Sequence, residues 1–233
     1  MNTILCHLEP WLLPYCCITC NKISDRQQDL CTHCLTCLPF VTNTCIQCAH
    51  PLPILGLCGN CQQQHPIFDK TIAAFTYTEN IPHYIQQFKY QHRLVYGRVL
   101  SELLLERVLQ SAPTVEALIP MPLHWWRHLY RGYNQAYLIA DILSKQLRLP
   151  IYQQSIVRRR ATQIQRSLSK HNRAKNMQKA FHISTPLPYQ RVAIIDDVMT
   201  TGHTVNALAN TLKQAGANWV EVWVIARTPQ DLR

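Results

Sequence analysis

After Cys61, the last of its 11 cysteines, the chain contains no cysteine, and between Ile142 and Ile195 it contains no aspartate or glutamate. No apolar run approaches the roughly 18–20 residues that span a bilayer, so a membrane-spanning helix is not expected. The opening stretch MNTILCHLEPWLLPYCC lacks a basic leader, and Glu9 and Pro10 interrupt its apolar character. No secretory signal is therefore expected, and the reading is a cytoplasmic protein. Charged residues make up only 15% of the chain and apolar ones 47%, which excludes a disordered polyelectrolyte. With 233 residues, the chain can bury one sizeable core and carry a small appendage.

The net charge of +10 is unevenly spread. Residues 1–66 hold Lys22 and Arg26 against Glu9, Asp25 and Asp29, so nearly all of the excess lies downstream. The acid-free stretch carries Lys145, Arg148, Arg158, Arg159, Arg160, Arg166, Lys170, Arg173, Lys175, Lys179 and Arg191. A solvated basic face is the ordinary reading of a charge run. The complete absence of compensating carboxylates instead favours an anionic partner: phosphate, pyrophosphate or nucleic acid.

Eight of the cysteines form four C-x-x-C pairs: Cys17 with Cys20, Cys31 with Cys34, Cys45 with Cys48, and Cys58 with Cys61. Each pair can form a knuckle whose thiolates and turn amides suit a soft divalent ion, and two knuckles complete a tetrahedral site. Gaps of one short hairpin separate the first two pairs and the last two. The pattern predicts two tandem zinc ribbons, each with one structural Zn²⁺. Sequential pairing is preferred over interleaved pairing because it closes shorter loops. Disulfides fit poorly with an odd cysteine count in a cytoplasmic chain. Cys6, Cys16, Cys37 and His33 are left over, and Cys16 or His33 is an alternative ligand. With few large apolar residues, this segment needs metal to fold. The expected boundary puts a double zinc-ribbon domain at 1–66 and a second domain at 67–233.

From Phe68 onward the patterning changes to an α/β alternation. KTIAAFTY reads as a strand, and the residues from Ile81 to Gln110 read as helical, with Leu100, Leu103, Leu104 and Val108 at helical spacing. EALIPMP reads as a strand entering a Pro-rich loop, NQAYLIADILSKQL as an amphipathic helix, and IYQQSIVR as containing a short strand. RVAIID, TVNALANTLKQAG and WVEVWVIA then read as strand, helix and strand. Such alternation implies right-handed crossovers and a mostly parallel sheet covered by helices, with ligands bound beyond the carboxyl ends of its strands.

One of those ends is VAIIDDVMTTGHT, residues 192–204. Two adjacent carboxylates after a buried strand repel each other and are costly to desolvate, so a cation or a set of hydroxyls should lie beside them. The following turn offers consecutive amides, two hydroxyls and a glycine able to adopt positive φ, ahead of a helix N-terminus. That is a cradle for a phosphate monoester. Carboxylates one step earlier can accept hydrogen bonds from vicinal hydroxyls. A phosphate joined to a diol is a ribose 5-phosphate. A simple helix N-cap would account for Thr204 but not for the paired aspartates.

This stretch resembles the 13-residue signature of type I phosphoribosyltransferases, which bind 5-phosphoribosyl-1-pyrophosphate (PRPP). Four C-x-x-C pairs followed by FKY, IPMPLHWWRHLYRGYNQA, RRRATQIQRSLSKHNRAKNMQKAF and VAIIDDVMTTGHT resemble, in that order, the ComF/GntX family. The likeness runs from Cys17 to Arg227. His203 departs from it, standing where small or hydroxyl residues are usual.

The resemblance implies an α/β fold with a mostly parallel sheet of the type I phosphoribosyltransferase kind, preceded by the small four-cysteine zinc-ribbon domain. It implies that Asp196 and Asp197 bind ribose hydroxyls, and that Val198, Met199, Thr200, Thr201, Gly202, His203 and Thr204 belong to the PRPP loop. Pro120, Met121, Pro122 and Arg131 would meet pyrophosphate; Lys89 either adds a contact or is a solvated helix lysine. Arg158, Gln165, Arg166 and Arg173 fall where the family places a mobile flap. Mg²⁺ would accompany PRPP. The family name implies a role in DNA uptake during natural transformation, alongside other DNA-uptake proteins. Arg158, Arg159 and Arg160, with Trp125 and Trp126, are candidates for single-stranded DNA, although the tryptophans read equally as core. Phosphoribosyl transfer to a nitrogenous acceptor, and a nucleic-acid-binding protein regulated by PRPP, are the alternatives. No acceptor pocket or catalytic residue is evident.

Overall fold

Val192, Ala193, Ile194 and Ile195 are all fully buried, and successive side chains enter two different cores. A strand with this pattern has to be covered on both faces. The computed structural model describes residues 14–123, 132–153, 156–158 and 180–229. Its helices are α1 (Thr32–Thr36), α2 (Gly59–Gln64), α3 (Ile81–Tyr90), α4 (Leu94–Gln110), α5 (Gln135–Leu147) and α6 (His203–Gln214). Its strands are β1 (Lys70–Thr76), β2 (Ala117–Pro120), β3 (Ile156–Arg158), β4 (Phe181–Ile183), β5 (Arg191–Met199) and β6 (Trp219–Arg227).

β1, β6, β5 and β2 form, in that order, a sheet in which every pairing is parallel. The carboxyl ends of β2, β5 and β6 therefore share one edge of the molecule, with Met199 beside Arg227. β3 and β4 form a separate antiparallel ladder, pairing Arg158 with Phe181 on either side of the sequence 159–179. The parallel sheet expected from the alternation is present. Among the described residues, no helix is long and apolar enough to cross a membrane.

Helices α3, α4 and α5 cover one face, where Ile85, Leu100 and Leu143 join Ala193, Ile195 and Trp223 in one core. Helix α6 covers the other, where Leu208 and Leu212 meet Val192, Ile194 and Val222. The two cysteine-rich hairpins are divided between these cores. Cys17, Leu30 and Cys34 belong to the three-helix side, and Cys45, Cys48, Cys58 and Cys61 to the α6 side. The metal-binding segment thus straddles the sheet and contributes to both hydrophobic layers.

Two local readings differ from the structure. The helical stretch from Ile81 to Gln110 is broken at Gln91–Arg93, where His92 takes a left-handed φ of 55°. The break folds α4 back so that Gly97 lies against Phe88; a Cβ there would stand 2.4 Å from the ring, so only glycine fits. Periodicity alone did not show the break, because the buried positions of α4 are spread around much of its circumference and offer no sharp phase to set against that of α3. Strand β5 also continues past the aspartates to Met199, held by the pairing of Val198 and Met199 with β6.

Candidate functional site

Along β5 the apolar run ends at Ile195, and the next side chains belong to Asp196 and Asp197. The backbone N–H of Asp197 donates to Asp196 Oδ1 at 2.9 Å, which holds the first carboxylate along the strand. The second carboxylate has a cationic neighbour from another element. Lys89, in the last turn of α3, places Nζ 2.8 Å from Asp197 Oδ1, with side chains only 18% and 11% exposed. Lys89 is therefore not a solvated helix lysine. Helix α3 directs it inward because Ile81, Tyr84, Ile85 and Phe88 anchor its apolar face in the core it shares with α4.

The turn after β5 carries the features expected of an anion cradle. Thr200 and Thr201 are exposed, and Gly202 is buried with φ 77°, the left-handed conformation that glycine tolerates. Gly202 caps α6, whose first internal bond runs from Asn206 N to the Gly202 carbonyl. The N–H groups of His203, Thr204 and Val205 precede that bond and sit at the positive end of a twelve-residue helix. His203 is exposed and Thr204 half-buried.

The loop after β2 meets the same edge. Pro120 closes the strand, and Met121 donates its N–H to the Ile195 carbonyl at 2.8 Å. Asn134 Nδ2 donates to the Met121 carbonyl at 3.2 Å, while Asn134 Oδ1 accepts from Ala136 N and caps α5. Tyr133 donates its hydroxyl to the Phe88 carbonyl and packs its ring 6.0 Å from that of Phe88. Tyr133 is therefore engaged within the protein and is not a free stacking surface. FKY, IPMP, RGYNQ and IIDD, separate in sequence, touch one another here. Pro122 is half-buried at the rim.

Other expected site residues fall elsewhere. Trp125, Trp126, Arg131, Arg159, Arg160, Gln165, Arg166 and Arg173 lie outside the described residues, and Arg158 enters only through its backbone pairing in β3.

The eight knuckle cysteines form two four-sulfur clusters, each with all sulfurs within 4.8 Å of one another. Cys17, Cys20, Cys31 and Cys34 make the first, and Cys45, Cys48, Cys58 and Cys61 the second, so the pairing is sequential. Cys20 and Cys31 sulfurs are 3.9 Å apart, and those of Cys48 and Cys58 are 3.6 Å apart. Four sulfurs at about 2.3 Å from a central zinc stand about 3.8 Å from one another, whereas a disulfide is about 2.05 Å long. The donor set fits a tetrahedral Zn²⁺ in both places. Cys16, Cys37 and His33 stand outside the clusters, and Cys6 lies outside the described residues.

Amides of the last knuckle point at sulfur: Cys58 N to Cys45 Sγ and Cys61 N to Cys58 Sγ, both at 3.4 Å. Burial opposes ionisation of Cys17, but the N–H groups of Cys20, Cys31 and Thr19 outweigh it and bring the thiol down to about 6. Cys45 is likewise brought to about 7, against burial, by the N–H groups of Cys48, Cys58 and Gln47. Burial and neighbouring sulfurs push Cys34 and Cys61 up instead. Thiols crowded in this way ionise together only around a cation. The two clusters differ in exposure, since the second is wholly buried whereas Cys20 of the first is exposed.

One residue at this edge was missed by sequence reasoning. Arg227 ends the buried strand β6, whose one other charged residue is Glu221, and is 1% exposed. Its guanidinium donates to the carbonyls of Cys48, Met199, Thr200 and Thr228. The available signal was the one that marked the aspartates: a charged residue at the end of a buried strand.

Residues 8–62 match the Double zinc ribbon domain family, and residues 133–233 match the Phosphoribosyl transferase domain family. Over 224 residues the chain is 35% identical to "Competence protein F" of Haemophilus influenzae, covering 91% of this chain and 96% of that protein. It is 33% identical to "DNA utilization protein YhgH" of Escherichia coli K12 over 205 residues, covering 85% and 90% of the two chains. "Competence protein ComFC" of Streptococcus pneumoniae is 23% identical over 164 residues, 66% of this chain and 67% of that one.

Proposed function

This chain belongs to the family of competence protein F, and from that membership we propose that it binds PRPP with Mg²⁺ and serves DNA uptake in natural transformation. The observation that carries the reading is the convergence of four motifs at one sheet edge, centred on Lys89 and Asp197. In this reading Asp196 and Asp197 accept hydrogen bonds from the two ribose hydroxyls. The N–H groups of residues 200–204, at the start of α6, hold the 5-phosphate. Met121 and its loop, with Arg131, face the pyrophosphate, where a guanidinium matches paired phosphoryl oxygens. Lys89 neutralises Asp197 and has further N–H donors for the same anion.

Mg²⁺, entering with PRPP, would be held beside Asp196 and Asp197 and would supply screening of the pyrophosphate charge. The residues present fit that role because two carboxylates lie beside the loop assigned to phosphate. The two zinc ions serve structure, tying the cysteine hairpins to both faces of the sheet. By family likeness Arg158, Gln165, Arg166 and Arg173 are assigned to the flap that covers the ligand in phosphoribosyltransferases, and by sequence Arg158, Arg159 and Arg160 with Trp125 and Trp126 are assigned to single-stranded DNA. The protein acts in the cytoplasm, where incoming single strands arrive.

Isothermal titration of the full zinc-loaded chain with PRPP tests the reading. Saturable binding of one PRPP that requires Mg²⁺ and disappears in Asp196→Ala plus Asp197→Ala is expected. No binding by the folded wild type overturns it. A pyrophosphate-release assay over candidate bases then decides whether bound PRPP is also transferred.

A further inference from the structure

Arg227 is a buried cation whose hydrogen bonds, among the described residues, all go to backbone carbonyls. A guanidinium removed from water needs negative charge nearby. Two sources flank it. Nε donates at 2.9 Å to the carbonyl of Cys48, a ligand residue of the second cluster, and four thiolates around a divalent ion leave two negative charges. On its other side, Nη1 donates to the carbonyls of Met199 (3.1 Å) and Thr200, within the loop assigned to phosphate.

The second contact fixes direction as well as charge. In a trans peptide the C=O and the following N–H point to opposite sides. Pinning the Met199 and Thr200 carbonyls toward Arg227 turns the N–H groups of Thr200 and Thr201 away from it, toward the outer side of the loop. The same ribbon reaches the start of α6 by a second route. Gln47 Nε2 donates to the carbonyls of Pro66 and Phe68, both at 3.1 Å, and Asn206 Oδ1 accepts from Ile67 N at 2.6 Å. A cavity of about 50 Å³ between the two parts is lined by Asn60 and Gln64 of the ribbon and by Thr201, His203 and Asn206 opposite.

We infer that Arg227 is a positioning residue that couples the second zinc cluster to the phosphate loop, so that metal at Cys45, Cys48, Cys58 and Cys61 and ligand at residues 199–204 each strengthen the other. The first cluster lies on the opposite face of the sheet and has no such link among the described residues. The inference rests on the PRPP reading above. Coupling of this kind is reciprocal: if zinc favours the ligand, the ligand retains the zinc.

The test measures zinc retention in the full chain. A chelator is added with N-ethylmaleimide, and alkylation of each cysteine is followed by peptide mass spectrometry. PRPP with Mg²⁺ is expected to slow alkylation of the second cluster roughly fivefold or more while leaving the first unchanged. Ribose 5-phosphate, which has the monoester but no pyrophosphate to chelate metal, should protect the same cluster. Arg227→Gln is expected to keep both zinc ions, bind PRPP roughly tenfold more weakly and lose the selective protection. Arg227→Lys, keeping the charge without the fork, should recover part of both. If PRPP binds wild type but protects both clusters alike or neither, the coupling is wrong and the PRPP reading stands. The coupling is equally wrong if Arg227→Gln retains the protection. If calorimetry shows no PRPP binding, both fall. Should the variants fail to fold, the wild-type measurement decides alone.

Discussion

Lys89 Nζ lies 2.8 Å from Asp197 Oδ1, joining the last turn of α3 to the carboxyl end of β5. Neither side chain has much access to water, so the pair is sensitive to loss of one partner. Removing one charge of a buried pair leaves the other unpaired, typically at a cost of about 3–5 kcal/mol. Lys89→Met should therefore destabilise the protein by up to that amount in urea denaturation. Lys89→Met with Asp197→Leu should recover most of the stability, because both charges are gone. Neither variant should bind PRPP by calorimetry. If Lys89→Met alone is as stable as wild type, the contact contributes little to folding.

The zinc clusters lead to an asymmetric expectation. Elemental analysis of the protein purified in reducing buffer should give two zinc ions per chain. Cys48→Ser should release one and also destabilise the sheet, because the second cluster is packed with Val205, Leu208 and Val222 in a single core. Cys20→Ser, at an exposed ligand, should release one with a smaller loss of thermal stability. Independent melting of a ribbon and an intact sheet in Cys48→Ser would contradict the shared core.

Much of this was legible in the sequence, for identifiable reasons. Four C-x-x-C pairs predict two tetrahedral clusters because the spacing within each pair lets its two sulfurs meet one ion, and shorter loops favour the sequential pairing that is present. The apolar run ending in Asp196 predicts a buried strand, and Gly202 predicts the turn into α6, because both follow from local backbone preferences. What each element packs against was not legible. Spacing does not reveal that the two ribbons lie on opposite faces of the sheet. Lys89 reads equally as a ligand contact and as a solvated helix lysine until α3 is docked and the break at His92 places its last turn. Arg227 is one arginine among many until Cys48 and Met199 are brought together from 179 and 28 residues away.

Glu102, on α4, supplies a pH dependence distant from the candidate site. Burial raises its pKa above the ordinary 4.5, with Asp29 and Glu106 adding to the rise and Arg98 and Arg26 opposing it. An acid with a raised folded pKa holds its proton more tightly folded than unfolded. Below pH 4.5 it is neutral in both states and costs nothing. As pH rises from 4.5 through the folded value, the unfolded chain ionises first and stability is lost. Glu102→Gln should therefore be more stable than wild type at neutral pH, and the difference should vanish below pH 4.5. A stability difference that is independent of pH in urea titrations would show that charge is not the cause.

Single-stranded DNA gives the last expectation, which comes from sequence and family. The chain has no acidic residue between Ile142 and Ile195, and Arg158, Arg159 and Arg160 stand together there. Trp125 and Trp126, in the stretch leading to RGYNQ, are aromatic surfaces on which bases can stack. Tyr133 is excluded from that role by its bond to Phe88. If the arginines neutralise phosphates, affinity for a fluorescent oligonucleotide should fall with salt, with a log–log slope of about −0.7 per phosphate contacted. Replacing all three arginines with alanine should weaken binding and make that slope shallower by about 2. Trp125→Ala with Trp126→Ala should weaken binding without changing the slope, because stacking releases no counterions. Anisotropy over a salt series separates the two effects. Wild type that stays unbound even at low salt would remove direct DNA binding and leave PRPP, or a protein partner, as the route into DNA uptake.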